Sequence, residues 1–305
     1  MKIGFVMDPI ENITPHKDST LAMMLAATDL GHEIFVMGER DLSLQHGQAI
    51  ARARRVRVFD DAQKWFDAQE QETVILGHFD QIFMRSDPPV DKSYVLATYI
   101  LDQAAKDGAQ IINAPAALRN YNEKLYATHF PDLVPETLVT GDSALAREFV
   151  TAHDQCIIKP LDMMGGSGIY LTHKGDVNLD VVLELETDNG RYPVIIQKFL
   201  PEIADGDRRV LIIDGKPVEK VLVRLPKQGS IRGNLAAGGG YDVQDLTATD
   251  RHIVDSVAPR LQTDGVRFAG LDIIGGKLIE INHTSPTGIR EISKQMGENI
   301  ALRLF

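Results

Sequence analysis

Asp272, Glu280 and Asn282 are the residues whose types and spacing first point to chemistry. They lie within residues 270–282, a stretch that reads as two apolar strands joined by Gly275-Gly276. Side chains alternate along a strand, so Glu280 and Asn282 share one face while Ile279 and Ile281 share the other. On the first strand, Leu271 and Ile273 lie opposite Asp272. A two-residue turn at Gly275-Gly276 would pair Asp272 with Ile279 and mix polar with apolar on each face. An odd loop, such as three residues with a bulge, lets Asp272 meet Glu280 and gathers the aliphatic residues on the buried side. Burial favours the odd loop. Three oxygen-bearing side chains then share one face, the hard-oxygen surface on which Mg²⁺ bound to a nucleotide's phosphates is held.

Other segments carry groups suited to anions. Lys159 is followed by Gly165-Gly166-Ser167-Gly168 and then by a strand at 169–172. The lysine precedes the glycines and no helix follows, so this is not a Walker-type loop. Such a hairpin can still turn backbone N–H groups toward phosphate, or it can be only a mobile hairpin tip. Arg208, Arg209 and Arg224 fall near two further strands, 208–213 and 218–225, where each is a cleft cation or a solvated charge. Residues 232–240, Arg-Gly-Asn-Leu-Ala-Ala-Gly-Gly-Gly, read as a linker or as a gate over a reactive intermediate. Residues 85–91 follow a strand end, where open α/β sheets place ligands. Their prolines stiffen a loop that presents Arg85 and Asp87, or one that merely connects. Residues 283–291 add hydroxyls and Arg290 next to the proposed metal face. His283 has no partner histidine at ligand spacing and reads as structural. No Ser/His/Asp triad is marked.

These groups need a scaffold, and the chain has the length for one. Its 305 residues, 44% hydrophobic and 25% charged, allow two or three well-buried domains. A net charge of −11 argues against non-specific nucleic-acid binding, while leaving room for a cationic cleft. One cysteine, Cys156, excludes internal disulfides and a cysteine-rich metal site, and reads as a small core residue. The N-terminus enters a strand directly and no apolar run is long enough to span a membrane, so no membrane association and a cytoplasmic location are expected.

Strands at 3–7, 33–37, 81–85 and 110–113 alternate with helices at 18–30 and 93–106. This predicts an open, largely parallel α/β sheet over about the first 120 residues. No G-x-G-x-x-G follows the first strand, which leaves a dinucleotide-binding reading little support. A helix opens at 122–125, a linker is expected at 132–135, a helix at 143–153, and strands at 156–159 and 194–199. A helix over 249–263, capped by Thr249, would support the metal-face hairpin.

Several segments together resemble one family. Val6-Met7-Asp8-Pro9-Ile10, Asp87-Pro88-Pro89, Asn122-Glu123-Lys124-Leu125, Lys159-Pro160-Leu161-Asp162, the 232–239 loop, residues 270–274 and Thr284-Ser285-Pro286-Thr287 match bacterial glutathione synthetases, members of the ATP-grasp ligases. The likeness spans nearly the whole chain, and the 232–239 and 280–287 segments are its most specific parts. It implies an ATP-grasp fold: an N-terminal α/β domain at 1–121, a central lid subdomain at 122–200, and a C-terminal subdomain at 201–305 with the metal and substrate site. The implied activity joins γ-glutamylcysteine to glycine, giving glutathione, ADP and phosphate through an acyl phosphate.

By matching position, Lys124 and Lys159 contact ATP phosphates alongside Gly165 and Gly166, and Gln197, Lys198, Phe199 and Leu200 line the adenine pocket. Asp272, Glu280 and Asn282 hold Mg²⁺, or Mn²⁺. Arg209, Arg224 and Arg232 surround the reacting phosphoryl and carboxylate groups. Ser285 and Thr287, with Arg85, fix the peptide substrate, and Gly233, Asn234, Ala236, Ala237, Gly238 and Gly239 form the gate. The resemblance also implies a homo-oligomer. Met163 stands where the family pattern has glycine, making the phosphate-facing loop bulkier, and the chain stops soon after a helix expected to begin at 298–303. The rival readings are another ATP-grasp carboxylate–amine ligase with a different acceptor, and a nucleotide-binding regulatory protein without turnover.

Overall fold

A computed structural model describes every residue except Gln228, Arg232 and residues 234–238. The elements in chain order are β1 (Lys2–Val6), α1 (Ser19–Asp29), β2 (Glu33–Met37), β3 (Leu42–Gln45), β4 (Gln48–Val58), β5 (Phe66–Ile75), β6 (Gln81–Met84), α2 (Lys92–Lys106) and β7 (Gln110–Ile112). Then come α3 (Pro115–Asn120), α4 (Glu123–Ala127), β8 (Thr137–Thr140), α5 (Ser143–His153), β9 (Gln155–Pro160), β10 (Tyr170–His173), α6 (Leu179–Glu186) and β11 (Val194–Lys198). The last are β12 (Asp207–Ile213), β13 (Lys216–Pro217), β14 (Lys220–Leu225), β15 (Gly240–Asp245), α7 (Ala248–Thr263), β16 (Phe268–Ile274), β17 (Lys277–Asn282) and α8 (Ile289–Met296).

In the first sheet β2, β1, β6 and β7 run parallel. Both faces of these strands are covered, which is why they read as continuous apolar runs. Ile3 and Phe5 pack with Leu21 and Met24 of α1, and Val6 packs with Tyr94 and Leu101 of α2. The sheet extends beyond β2 through antiparallel β3, β4 and β5, which the sequence reading did not anticipate. Ala49, Ala51 and Ala53 of β4 are buried in alternation with the less buried Ile50, Arg52 and Arg54, whereas β5 is an almost wholly exposed edge strand.

The second sheet, in the order β10-β9-β11-β8, is antiparallel, and α5 and α6 close its core around Cys156, Ile158 and Ile196. The third sheet runs β15-β14-β12-β16-β17. Its core joins Val210, Leu271, Ile273, Leu278 and Ile281 to Val254, Val257 and Leu261 of α7. Tyr126, Ala127 and Val134 share that core, so α4 and the chain to Val134 pack on the third sheet. Two local expectations need correction. The cap of α7 is Thr247, in a reciprocal capping box with Asp250, because Thr247 is the residue whose hydroxyl reaches the Asp250 N–H. The C-terminal segment is a 3₁₀ turn, Ile300–Leu304, anchored by buried Ile300, Ala301 and Leu304.

Candidate active site

The hairpin β16–β17 sets the geometry. Asp272 lies opposite Glu280, as burial predicted, but by a different route from the odd loop. Gly275-Gly276 is a two-residue turn, with Ile274 opposite Lys277, and the register shifts beyond Asp272, where Ile273 pairs with Leu278. The extra residue is Ile279, bulged out so that it lines the cavity beside Glu280 instead of joining the aliphatic face. The buried face is therefore Leu271, Ile273, Leu278 and Ile281.

A cavity of about 520 Å³ opens above this hairpin, lined by strands of the second and third sheets and by segments that leave the first, such as Met7 and Arg85. On its floor, Arg209 is paired in register with Asp272, and Arg224 with Asp207. All four side chains are buried, 4–7% exposed. Arg209 Nε and Nη2 donate to the two oxygens of Asp272 at 2.5 and 2.9 Å. Arg224 Nη2 reaches Asp207 at 2.5 Å and Asp272 at 2.9 Å. Burial alone would raise the Asp272 carboxyl, but Arg209 and Arg224 outweigh it and hold it well below the usual carboxylate range. At Asp207 burial wins over Arg224 and pushes the carboxyl up. Asp207 Oδ1 and Arg224 Nε are buried with no hydrogen-bond partner. Arg208 points the other way, onto Asp250 and Gln244, as strand alternation requires.

The lysines sit across the cavity on neutral acceptors. Lys124, in the first turn of α4, donates to the Met163 carbonyl at 2.6 Å and stands 3.4 Å from Glu280. Lys159, on β9, donates to Gln197 Oε1 at 2.8 Å. Desolvation pulls the Lys159 ammonium down to about 8, against the opposing field of Glu280. Gln197, Phe199 and Leu200 line the cavity, as does Lys198, whose ammonium pairs with Glu136. Gly165 and Gly166 adopt positive φ, 65° and 83°, in the β9–β10 connection and also face the cavity. Met163, in the same connection, is exposed and lines the cavity.

Arg85 is buried at the cavity wall, donating to Thr20 and to the Pro286 carbonyl, with Nη1 left unpartnered. Ser285 donates to the Arg85 carbonyl at 3.2 Å, and the Thr287 carbonyl accepts from Arg209 at 3.5 Å. Gly233 lines the cavity so closely that a Cβ there would meet Asp207 at 2.8 Å. Gly239 lies against the Leu225 carbonyl instead. Arg232, Asn234, Ala236, Ala237 and Gly238 fall outside the described residues.

Two contributors escaped the sequence reading. The strand predicted over 208–213 begins one residue past Asp207, although the spacing of Asp207 from Arg209 puts both on one face. Glu123 accepts from the backbone of His283 and Thr284 and from the Thr284 hydroxyl, at 2.8–2.9 Å, and so pins the 283–287 loop to α4. His283 is fully buried near carbonyls of Ile281 and Ala117, a structural position.

The donor set suits an oxygen-seeking divalent cation. Asp272 and Glu280 face each other across the ladder, and the Asn282 amide nitrogen is tied to the Gly270 carbonyl, which leaves its oxygen as the free end. Among the described residues no three His, Cys, Asp or Glu side chains gather, so a site here would draw on the Asn282 amide oxygen beside the two carboxylates. Asp272 would have to share its oxygens with two guanidinium groups.

Comparison with known proteins fits this picture. The family model "Prokaryotic glutathione synthetase, N-terminal domain" matches residues 1–119, and "Prokaryotic glutathione synthetase, ATP-grasp domain" matches residues 123–297. Glutathione synthetase of Pseudomonas aeruginosa is 47% identical over all of this chain and 96% of its own length. That of Vibrio cholerae is 45% identical over the same shares. Among solved structures, D-cycloserine synthetase DcsG superposes with a TM-score of 0.69 at 15% identity, covering 100% of this chain and 97% of its own. A RimK domain ATP-grasp protein from Sphaerobacter thermophilus gives 0.64 at 14% identity, covering 100% and 98%. These distant structures share the ATP-grasp fold.

Proposed function

The chain belongs to the prokaryotic glutathione synthetase family and is an ATP-dependent ligase that makes glutathione, and from that premise we propose how its residues divide the work. The observation that carries the proposal is the convergence on one cavity of Lys124 and Lys159 with Arg209, Arg224, Asp272, Glu280 and Asn282.

Gln197 through Leu200 form the adenine pocket, and Lys124, Lys159 and the Gly165-Gly166 turn hold the phosphates. Asp272, Glu280 and Asn282 would hold Mg²⁺, or Mn²⁺, which when bound neutralises phosphate charge and orients the γ-phosphoryl group. Arg85, Ser285 and Thr287 position γ-glutamylcysteine. Its glycyl-accepting carboxylate attacks the γ-phosphorus, forming an acyl phosphate and releasing ADP. Glycine's amine then attacks the acyl carbon, phosphate leaves, and the amine's proton is lost to solvent. Arg209 and Arg224, with Arg232, offset the repulsion between two anions brought together in the first step. By the family resemblance, Gly233, Asn234, Ala236, Ala237, Gly238 and Gly239 act as the gate that keeps water from the acyl phosphate.

In this scheme the chain divides at 121 and 200, with β8–β11 as the body of the lid. The enzyme acts as a homo-oligomer in the cytoplasm, where ATP is the ordinary phosphoryl donor. No helix among the described residues is long and apolar enough to cross a membrane. The test is ADP release with each substrate omitted in turn, and with serine, alanine or glutamate replacing glycine. ADP formation only with γ-glutamylcysteine and glycine together is expected. Equal rates with another acceptor would overturn the assignment of the acceptor.

A further inference from the structure

The Gln197 amide is held in one orientation by groups that leave it no choice. Gln197 is 3% exposed and pairs in register with Thr137 on β8. The Thr137 hydroxyl donates its only proton to the Pro135 carbonyl at 2.7 Å. Its oxygen can therefore only accept, and it accepts from Gln197 Nε2 at 3.1 Å. At the far end, Lys159 Nζ has donors and no acceptor, so it must meet the amide oxygen, which it does at 2.8 Å. Both ends give the same answer. Pro135, Gln197 and Lys159 line the cavity.

We propose that Thr137 is a positioning residue that fixes the Gln197 amide with its oxygen toward the base, so that the pocket selects a 6-amino purine over a 6-oxo purine. This rests on the reading of Gln197–Leu200 as the adenine pocket. A carbonyl oxygen has two lone pairs; Lys159 keeps one of its three N–H donors on one of them while the others meet phosphate, and the second lone pair accepts from an exocyclic amine. A 6-oxo group would place acceptor against acceptor. The amide cannot turn to meet it without bringing two acceptors together at Thr137 and two donors together at Lys159. A residue outside the base's reach thereby controls base choice.

The experiment compares kcat/KM for ATP and inosine triphosphate, which differ at the 6-position, in the full chain with the other substrates saturating. In Thr137→Val the amide loses the acceptor for its Nε2 and is held by Lys159 alone, and the preference for ATP should narrow about tenfold, chiefly through nucleotide KM. Thr137→Ser, which keeps the hydroxyl, should retain the original ratio. Thr137→Ala reads the same ratio with space opened instead of filled, should Val fail to fold. Gln197→Met should abolish the preference. If Gln197→Met does so while the Thr137 variants keep the original ratio, Thr137 has no such role and the adenine pocket stands. If Gln197→Met also leaves the ratio unchanged, the pocket reading fails, and this proposal with it.

Discussion

Two groups of cations face one cavity and are held in opposite ways. On the third sheet, Arg209 and Arg224 lie against Asp207 and Asp272, two guanidinium groups matched by two carboxylates. Across from them, Lys159 rests on an amide oxygen and Lys124 on a backbone carbonyl, with Glu280 only at 3.4 Å. At Arg224 burial is outweighed by Asp207 and Asp272, which hold the guanidinium above its ordinary range, and the two arginines in turn keep Asp272 ionised well below its own. A neutral acceptor returns less, so the Lys159 ammonium drops to about 8. The lysines therefore gain outright when a polyphosphate arrives. The arginines must loosen one anion to take another.

The comparison predicts different outcomes for two neighbouring carboxylates. Asp272→Asn takes the charge from between two buried arginines as well as from the proposed metal face. It should lower kcat/KM by about 10³-fold and stability by about 3 kcal/mol. Glu280→Gln should lower kcat/KM by about 10²-fold, since only the metal face is touched. Its effect on stability should stay below about 1 kcal/mol, because the longer, partly exposed Lys124 contact contributes little. Steady-state rates beside thermal melts of both variants check this, and equal stability losses would erase the distinction. A smaller effect is expected on the lysine side. Lys159→Met should raise the KM for ATP about tenfold while leaving the melting temperature unchanged or higher, because a desolvated cation is removed. A stability loss as large as that of Asp272→Asn would show that Lys159 is as well compensated as the arginines.

Much of this was legible in the sequence, for identifiable reasons. The parallel strands of the first sheet are buried on both faces and declare themselves as apolar runs. The facing of Asp272 and Glu280 followed from burial alone. The bulge did not, because Ile279 is as apolar when it lines a cavity as when it fills a core. β5 is illegible for the opposite reason: it is an exposed edge of polar residues with no apolar period to read, unlike β4, whose alternation stands in the sequence. Alternation along β12 decides which arginine faces the cavity, sending Arg209 into it and Arg208 to Asp250. It needed only the strand's true start at Asp207. Storage of Lys124 on Met163 and of Lys159 on Gln197 was beyond reach, since it depends on contacts between segments that spacing cannot relate.

The lysine side also has a pH signature. Lys159 falls from an ordinary 10.5 to about 8, so between those values the unfolded chain binds more protons than the folded one. Its cost to stability therefore fades as pH rises through that window. In the proposed site the ATP phosphates reverse the shift, so nucleotide binding above pH 8 should draw in a proton that is already present at pH 7. Titration calorimetry of Mg²⁺·ATP binding, in buffers of differing ionisation enthalpy at pH 7 and pH 9, measures this directly. Uptake approaching one proton at pH 9, absent at pH 7 and absent in Lys159→Met, is predicted. Identical proton exchange at both pH values would contradict the claim that this lysine waits without a matching anion.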